Sequence, residues 1–145
     1  MLPNILVHPV HFEDFDGRNF ERLVMAYLVN KFPKSKLKWL GIVGHDEGRD
    51  IWREDESGET YCYQCTKTTL KKEKIFSDID KICKARTGIP DYLIIITGGI
   101  ISSNLYEKIK IYSESKGIRA CECWQGAQFE EYLRRDFEIL LKRFC

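Results

Sequence analysis

Apolar residues recur along "GRNFERLVMAYLVNKF" at Phe20, Leu23, Val24, Tyr27 and Leu28. This is the i, i+3, i+4, i+7, i+8 spacing of a helix with one buried face. Asp14 and Asp16 give it an acidic N-terminal end, Pro33 closes it, and Glu21 lies at the edge of the apolar stripe. The pattern then changes period. "LKWLGIV" (37–43) and "RDIW" (49–52) read as strands separated by Gly44 and Gly48, and "EDESGE" (54–59) is a polar hairpin turn centred on Ser57-Gly58. "TYCYQCT" (60–66) is a third strand, rich in aromatic and β-branched residues.

Helical spacing returns over about 71–86 with Ile75, Ile79, Ile82 and Cys83, stopped by Gly88 and Pro90. "YLIIIT" (92–97) has no polar alternation, the mark of a strand covered on both faces. After Gly98-Gly99, a helix over 102–117 turns Leu105, Ile109 and Tyr112 inward and ends at Gly117. "IRACECW" (118–124) is a fifth strand. From Gln125 a closing helix carries Phe129, Leu133, Phe137, Leu140 and Leu141 on one face. The expected order is α-β-β-β-α-β-α-β-α: an antiparallel meander followed by two βα units. A strand apolar on both sides needs helices on both sides, so the fold class is α/β, a three-layer α/β/α domain around a mixed five-stranded sheet.

Composition narrows this picture. The 145 residues fit one domain, 1–145, and 43% hydrophobic content supplies a core and argues against disorder. A net charge of +1 excludes a global basic field, so a polyanion would have to be met by local runs such as 34–38 and 67–72. The opening "MLPNILVHPVHFEDF" lacks a basic leader, and no apolar run nears the roughly 20 residues that span a bilayer. A soluble, cytoplasmic protein is expected, with its six cysteines mostly as free thiols.

Candidate chemistry concentrates in the hairpin. Strands 49–52 and 60–66 should pair about 4.8 Å apart, setting Asp50 across from Gln64. A carboxylate and an amide oxygen at that separation can share one divalent cation. Oxygen donors suit Mg²⁺, which keeps waters and accepts phosphate oxygens. Lys67 would add positive charge beside an attacked phosphate, or orient a water.

The segments "GHDEGRD" (44–50) and "YQCTK" (63–67), with Phe20-Glu21 on the preceding helix, resemble the PD-(D/E)xK nuclease superfamily and within it the Mrr-like restriction endonuclease group. "PDYLIIITGGIISSNLYEKIKIYSESKGIRACECWQGAQFEEYL" is similar to the second half of that core. The resemblance spans roughly residues 12–135. It implies a restriction-endonuclease-like fold, with Asp50 and Gln64 as metal-site and catalytic residues. It also implies Glu21 as an additional metal-shell or water-positioning acid, Lys67 as the catalytic lysine, and Asp46 in a supporting place. The group sets its lysine two residues after the Gln or Glu; here Lys67 comes three after Gln64, with Thr66 between. Either a β-bulge restores the facing, or Lys67 belongs with Cys65 and the site is degraded. Lys71 is a substitute from the helix start.

The resemblance implies a Mg²⁺-dependent endodeoxyribonuclease, with Mn²⁺ as a substitute metal, that cuts double-stranded DNA in prokaryotic defence. Cutting both strands calls for a homodimer or higher oligomer. The group's context adds a fused or associated NTPase sensor domain, this chain being an effector part of a longer protein. Two rivals stand beside it. One is a catalytically degraded module of the same fold that binds DNA or protein. The other is a zinc-stabilised interaction domain built on Cys62-x-x-Cys65 and Cys121-x-Cys123. The histidines, His8, His11 and His45, are scattered; His45 sits in the acidic loop, within reach of a metal there, and reads first as a surface imidazole. Trp124-Gln125 ends a strand where substrate contact is conceivable, and packing is the default for Trp39, Trp52 and Trp124.

Overall fold

The computed structural model describes residues 9–41 and 49–145. A short 3₁₀ turn at Phe12–Asp14 leads into α1 (Gly17–Lys31), where Asp16 caps the helix by accepting the Asn19 amide at 2.7 Å. The five stereotyped positions, Phe20, Leu23, Val24, Tyr27 and Leu28, are all buried. The meander follows as β1 (Lys36–Trp39), β2 (Ile51–Glu54) and β3 (Thr60–Thr66). Then come α2 (Lys72–Lys84), β4 (Tyr92–Thr97), α3 (Ser103–Ser115), β5 (Ala120–Trp124) and α4 (Gly126–Phe144).

The five strands form one mixed sheet in the order β1-β2-β3-β4-β5. The β1–β2 and β2–β3 pairs are antiparallel; β3–β4 and β4–β5 are parallel. Helices cover both faces. On one, α1 and α4 pack over Ile51, Tyr63, Ile94 and Ile96. On the other, α2 and α3 cover Trp52, Cys62, Leu93, Ile95, Cys121 and Cys123. The alternation within β4, Leu93 and Ile95 to one side and Ile94 and Ile96 to the other, explains why its sequence shows no polar positions. No helix among the described residues is long and apolar enough to cross a membrane.

Three details depart from the sequence expectation. β1 ends at Trp39, and Leu40 and Gly41 instead turn their N–H groups onto the Asp50 carbonyl at 2.8 and 3.0 Å. β2 begins at Ile51, not Arg49, because its ladder starts with Ile51 opposite Tyr63. The predicted strand residues 42 and 43, and the breaks at Gly44 and Gly48, lie outside the described residues. Finally, α4 is not continuous: Phe137 has φ −149° and ψ 62°. The break lies next to Asp136, which takes hydrogen bonds from Tyr27 Oη (2.9 Å) and Lys31 Nζ (3.2 Å) of α1 and from Arg135 (2.8 Å). It also seats Phe137 edge-on to Tyr27, ring centroids 5.8 Å apart.

This knot between α1 and α4 has a pH signature. Arg135 foremost, with Tyr27 and Lys31, holds the Asp136 carboxyl well below the usual carboxylate range. A carboxyl more acidic in the folded than in the unfolded chain stabilises the fold above the ordinary value of 3.8, and that contribution disappears as pH falls below it. Asp136→Asn is therefore expected to flatten the stability–pH curve below about pH 5, with loss of stability at neutral pH, as read by urea unfolding at a series of pH values.

Candidate active site

β3 divides the molecule chemically. Tyr61, Tyr63 and Cys65 turn toward α1 and α4, whereas Cys62 packs in the α2–α3 core. Gln64, on the same side as Cys62, donates its amide N–H to Asp78 Oδ2 of α2 at 3.4 Å. This follows from the two-residue period of an extended chain.

Asp50 is 7% exposed and sits just before β2. Its Oδ2 accepts the Cys65 amide at 2.8 Å, and its carbonyl accepts from Leu40 and Gly41. The residue is thus tied to the ends of both β1 and β3. Glu21 reaches in from α1, its Oε1 accepting Trp39 Nε1–H at 3.0 Å. The two carboxylates meet beside Gly41. A Cβ built there would lie 2.5 Å from Glu21 Oε1 and 3.2 Å from Asp50 Oδ1, so only glycine leaves that space open. Cys65 completes the cluster. Burial first, then the charges of Asp50 and Glu21, push its thiol well above the ordinary range and keep it neutral.

Lys67 is the first residue beyond β3, and it is half-buried. It lies past the last ladder pair, Thr66 with Thr97, so the two-residue alternation of β3 does not assign its facing. A glycine shelf fixes its backbone. A Cβ on Gly98 would strike the Lys67 carbonyl and come within 2.8 Å of Phe12 Cβ. Gly98 N–H donates to the Thr66 carbonyl at 2.8 Å, and the buried Thr97 hydroxyl donates to the Thr68 carbonyl at 2.5 Å.

The fold therefore brings Glu21 and Asp50 together and does not add Gln64 to them. The expected sharing of one cation by Asp50 and Gln64 is corrected here. Asp50 precedes the β2 ladder, so the cross-strand facing rule does not extend to it, and its carboxylate turns to the Cys65 amide. The position facing Glu21 and Asp50 belongs to Cys65. Gln64 Oε1 is instead buried without a hydrogen-bond partner, an arrangement that costs about 1–3 kcal/mol. Lys71 stands at the position before α2, with no side-chain capping bond, and lines the cleft that holds Gln64.

The remaining candidates resolve as follows. Cys62 and Cys65 lie on opposite faces of β3, so with Cys121 and Cys123 they cannot close a Cys₄ site; zinc stabilisation through that set is corrected too. Among the described residues, no group of three or more His, Cys, Asp or Glu side chains could hold a metal ion. His11 is exposed beside Glu13, 3.1 Å away, while His8, His45 and Asp46 lie outside the described residues. Trp124 donates to Glu122 at 3.2 Å and packs on Tyr132, and Gln125 Oε1 accepts the Ile101 amide at 3.1 Å, so both are engaged in structure. Trp39 and Gly41, which position the two carboxylates, carried no sequence signal beyond that of a strand and its end.

Glu21 and Asp50 could hold a hard divalent cation: two carboxylates, with water completing the shell, suit Mg²⁺. A neutral thiol is a poor third ligand for such an ion. The chain matches no protein-family model and no curated protein.

A methyl at position 41 would press on both carboxylate oxygens, closest to Glu21 Oε1. Gly41→Ala is expected to weaken Mg²⁺ or Mn²⁺ binding by about tenfold or more with the circular dichroism spectrum retained. Gly17→Ala, where a Cβ meets nothing within 4 Å, is the matched control in the same calorimetric titration.

Proposed function

We propose that the protein is a Mg²⁺-dependent endodeoxyribonuclease of the PD-(D/E)xK type, related to Mrr-like restriction endonucleases and acting on double-stranded DNA in defence against foreign DNA. The observation that carries this reading is the convergence of Glu21 and Asp50 beside Gly41 at the end of β3, one residue pair from Lys67. A mixed five-stranded sheet between two helical layers supports a restriction-endonuclease-like core.

Asp50 and Glu21 would hold the cation, for which Mn²⁺ can substitute. When bound, the cation lowers the pKa of a water and neutralises charge on the phosphate. Asp50 is prevented from swinging away by the Cys65 amide, and Glu21 by the Trp39 indole. Lys67 meets charge developing on the phosphate, worth several kcal/mol when such a group is pre-positioned. Gln64 has no part in this chemistry. With a net charge of +1, DNA would be held through local cations, and double-strand cutting calls for two copies. Targeting would come from self-association or from a fused or associated NTPase sensor, in the cytoplasm.

A second reading has its own observation. Cys65 places a neutral thiol where a third oxygen donor would complete the ion's shell. In that case the same fold binds DNA or protein without cutting it.

Plasmid incubated with Mg²⁺ or Mn²⁺ separates the two. Under the nuclease reading, wild type nicks or linearises DNA. Asp50→Ala and Glu21→Gln lose about 100-fold or more, Lys67→Ala falls similarly, and Gln64→Ala stays within a few-fold of wild type. Cutting undiminished in Asp50→Ala removes the nuclease reading. If wild type is inert and Cys65→Glu cuts, the chain is a degraded relative.

A further inference from the structure

The α2 side of β3 carries a second feature, separate from the two carboxylates. A cleft of about 280 Å³ opens where the end of β3 meets the start of α2. Its walls include Ile75 and Ile95, both buried, and its floor includes Gln64 and Asp78. Lys71 and Lys74 stand at the rim, exposed. Asp78 is 7% exposed, and both of its oxygens face Lys74 Nζ at 3.2 and 3.4 Å. Gln64 is tethered only loosely, through the 3.4 Å bond from Nε2 to Asp78, and its Oε1 is the one buried side-chain polar atom without a partner among the described residues.

The chemistry of the cleft is ordered from inside outward. Beneath the cleft lie acceptors, the buried Gln64 amide oxygen and the Asp78 carboxylate that pairs with Lys74, and the half-buried Leu70 lines it as an aliphatic side chain. The rim offers ammonium groups. A complementary ligand has a thin apolar body with N–H donors on one edge and an anion at the other end. A cleft somewhat smaller than the roughly 300–1,000 Å³ of drug-sized sites admits one ring system rather than a large ligand. The amide of Gln64 turns about a soft terminal torsion, so its oxygen can swing toward an entering N–H.

We propose that this cleft binds a nucleobase that bears an amino edge, joined to a phosphate held by Lys71 and Lys74. Gln64 Oε1, turned into the cleft, and Asp78 receive the two hydrogens of the amino group, and Leu70 lies against the ring. The same chemistry is found in a free nucleotide and in a base turned out of a DNA duplex. The second source rests on the DNA reading above; the binding site itself does not.

The test titrates metal-free protein with dCMP, dAMP, dGMP and TMP, followed by calorimetry and by amide chemical shifts. TMP lacks the amino group and serves as the discriminating probe. Expected are saturable binding of at least one amino-bearing nucleotide in the millimolar range or tighter and binding of TMP weaker by about tenfold or more. Gln64→Leu and Asp78→Asn should each lose that preference, while Glu21→Gln, on the other face of the sheet, should keep it, so failure here is distinct from failure of the nuclease reading. Should Asp78→Asn not fold, Gln64→Leu alone decides. A duplex carrying 2-aminopurine separates the sources. Fluorescence that rises with wild type and not with Gln64→Leu assigns the cleft to an extruded base. Nucleotide binding without that rise assigns it to a free nucleotide. Equal binding of TMP and the other nucleotides, no binding of any, or a preference unchanged in Gln64→Leu overturns the proposal.

Discussion

The Asp50 carboxylate accepts the Cys65 amide hydrogen, and the Asp50 carbonyl accepts those of Leu40 and Gly41. One residue thereby joins the end of β1, the start of β2 and the end of β3. A carboxylate that is 7% exposed is costly to bury unless it is hydrogen-bonded. Gln64, on the other face of β3, bonds to Asp78 instead. Everything at this end of the sheet follows. Glu21 comes to share a space with Asp50 because Gly41, held on the Asp50 carbonyl, lacks a side chain to fill it. Cys65 faces both carboxylates because its own amide is the anchor.

The sheet then acts as a partition. The α1–α4 side of β3 holds two carboxylates packed against Gly41 and a thiol beside them. The α2–α3 side holds an amide, a buried carboxylate and a cleft with two ammonium groups at its rim. Gln64 and Cys65 are neighbours in the chain and belong to different sites. The shelf of Gly98, with Thr97 beneath it, holds the segment that follows β3, so the starting point of Lys67 and the entrance to the cleft are set by the same contacts. A disturbance of that shelf would reach both sides.

Much of the architecture was legible beforehand. The apolar stripe of α1, the uniformly apolar β4 and the Ser57-Gly58 turn report local demands: a buried helix face, a strand covered twice and a tight reversal. Each depends on residues close together in sequence. The break in α4 was not legible. Phe137 keeps the helical period of its neighbours, and what interrupts the helix there is beside Asp136 and its bonds to Tyr27 and Lys31, more than a hundred positions earlier. The starts and ends of β1 and β2 were missed for a related reason, since ladder pairing, not residue preference, ends a strand.

The candidate site divides along the same line. Residue types nominated Asp50, Gln64 and Lys67, because a carboxylate, an amide and an ammonium near a hairpin point to phosphate chemistry, and the resemblance to Mrr-like nucleases added Glu21. Which of them share a space was a matter of facing. A one-residue difference along a strand moves a side chain to the opposite face of the sheet, and the bond from Cys65 to Asp50 lies outside any pattern in the chain. Sequence thus determined the layers, the helices and the list of chemically able residues, all consequences of short-range periodicity. Tertiary structure decided that Glu21 joins Asp50, that Cys65 faces them and that Gln64 turns away, because those outcomes depend on hydrogen bonds and close backbone approaches between segments that only folding brings together.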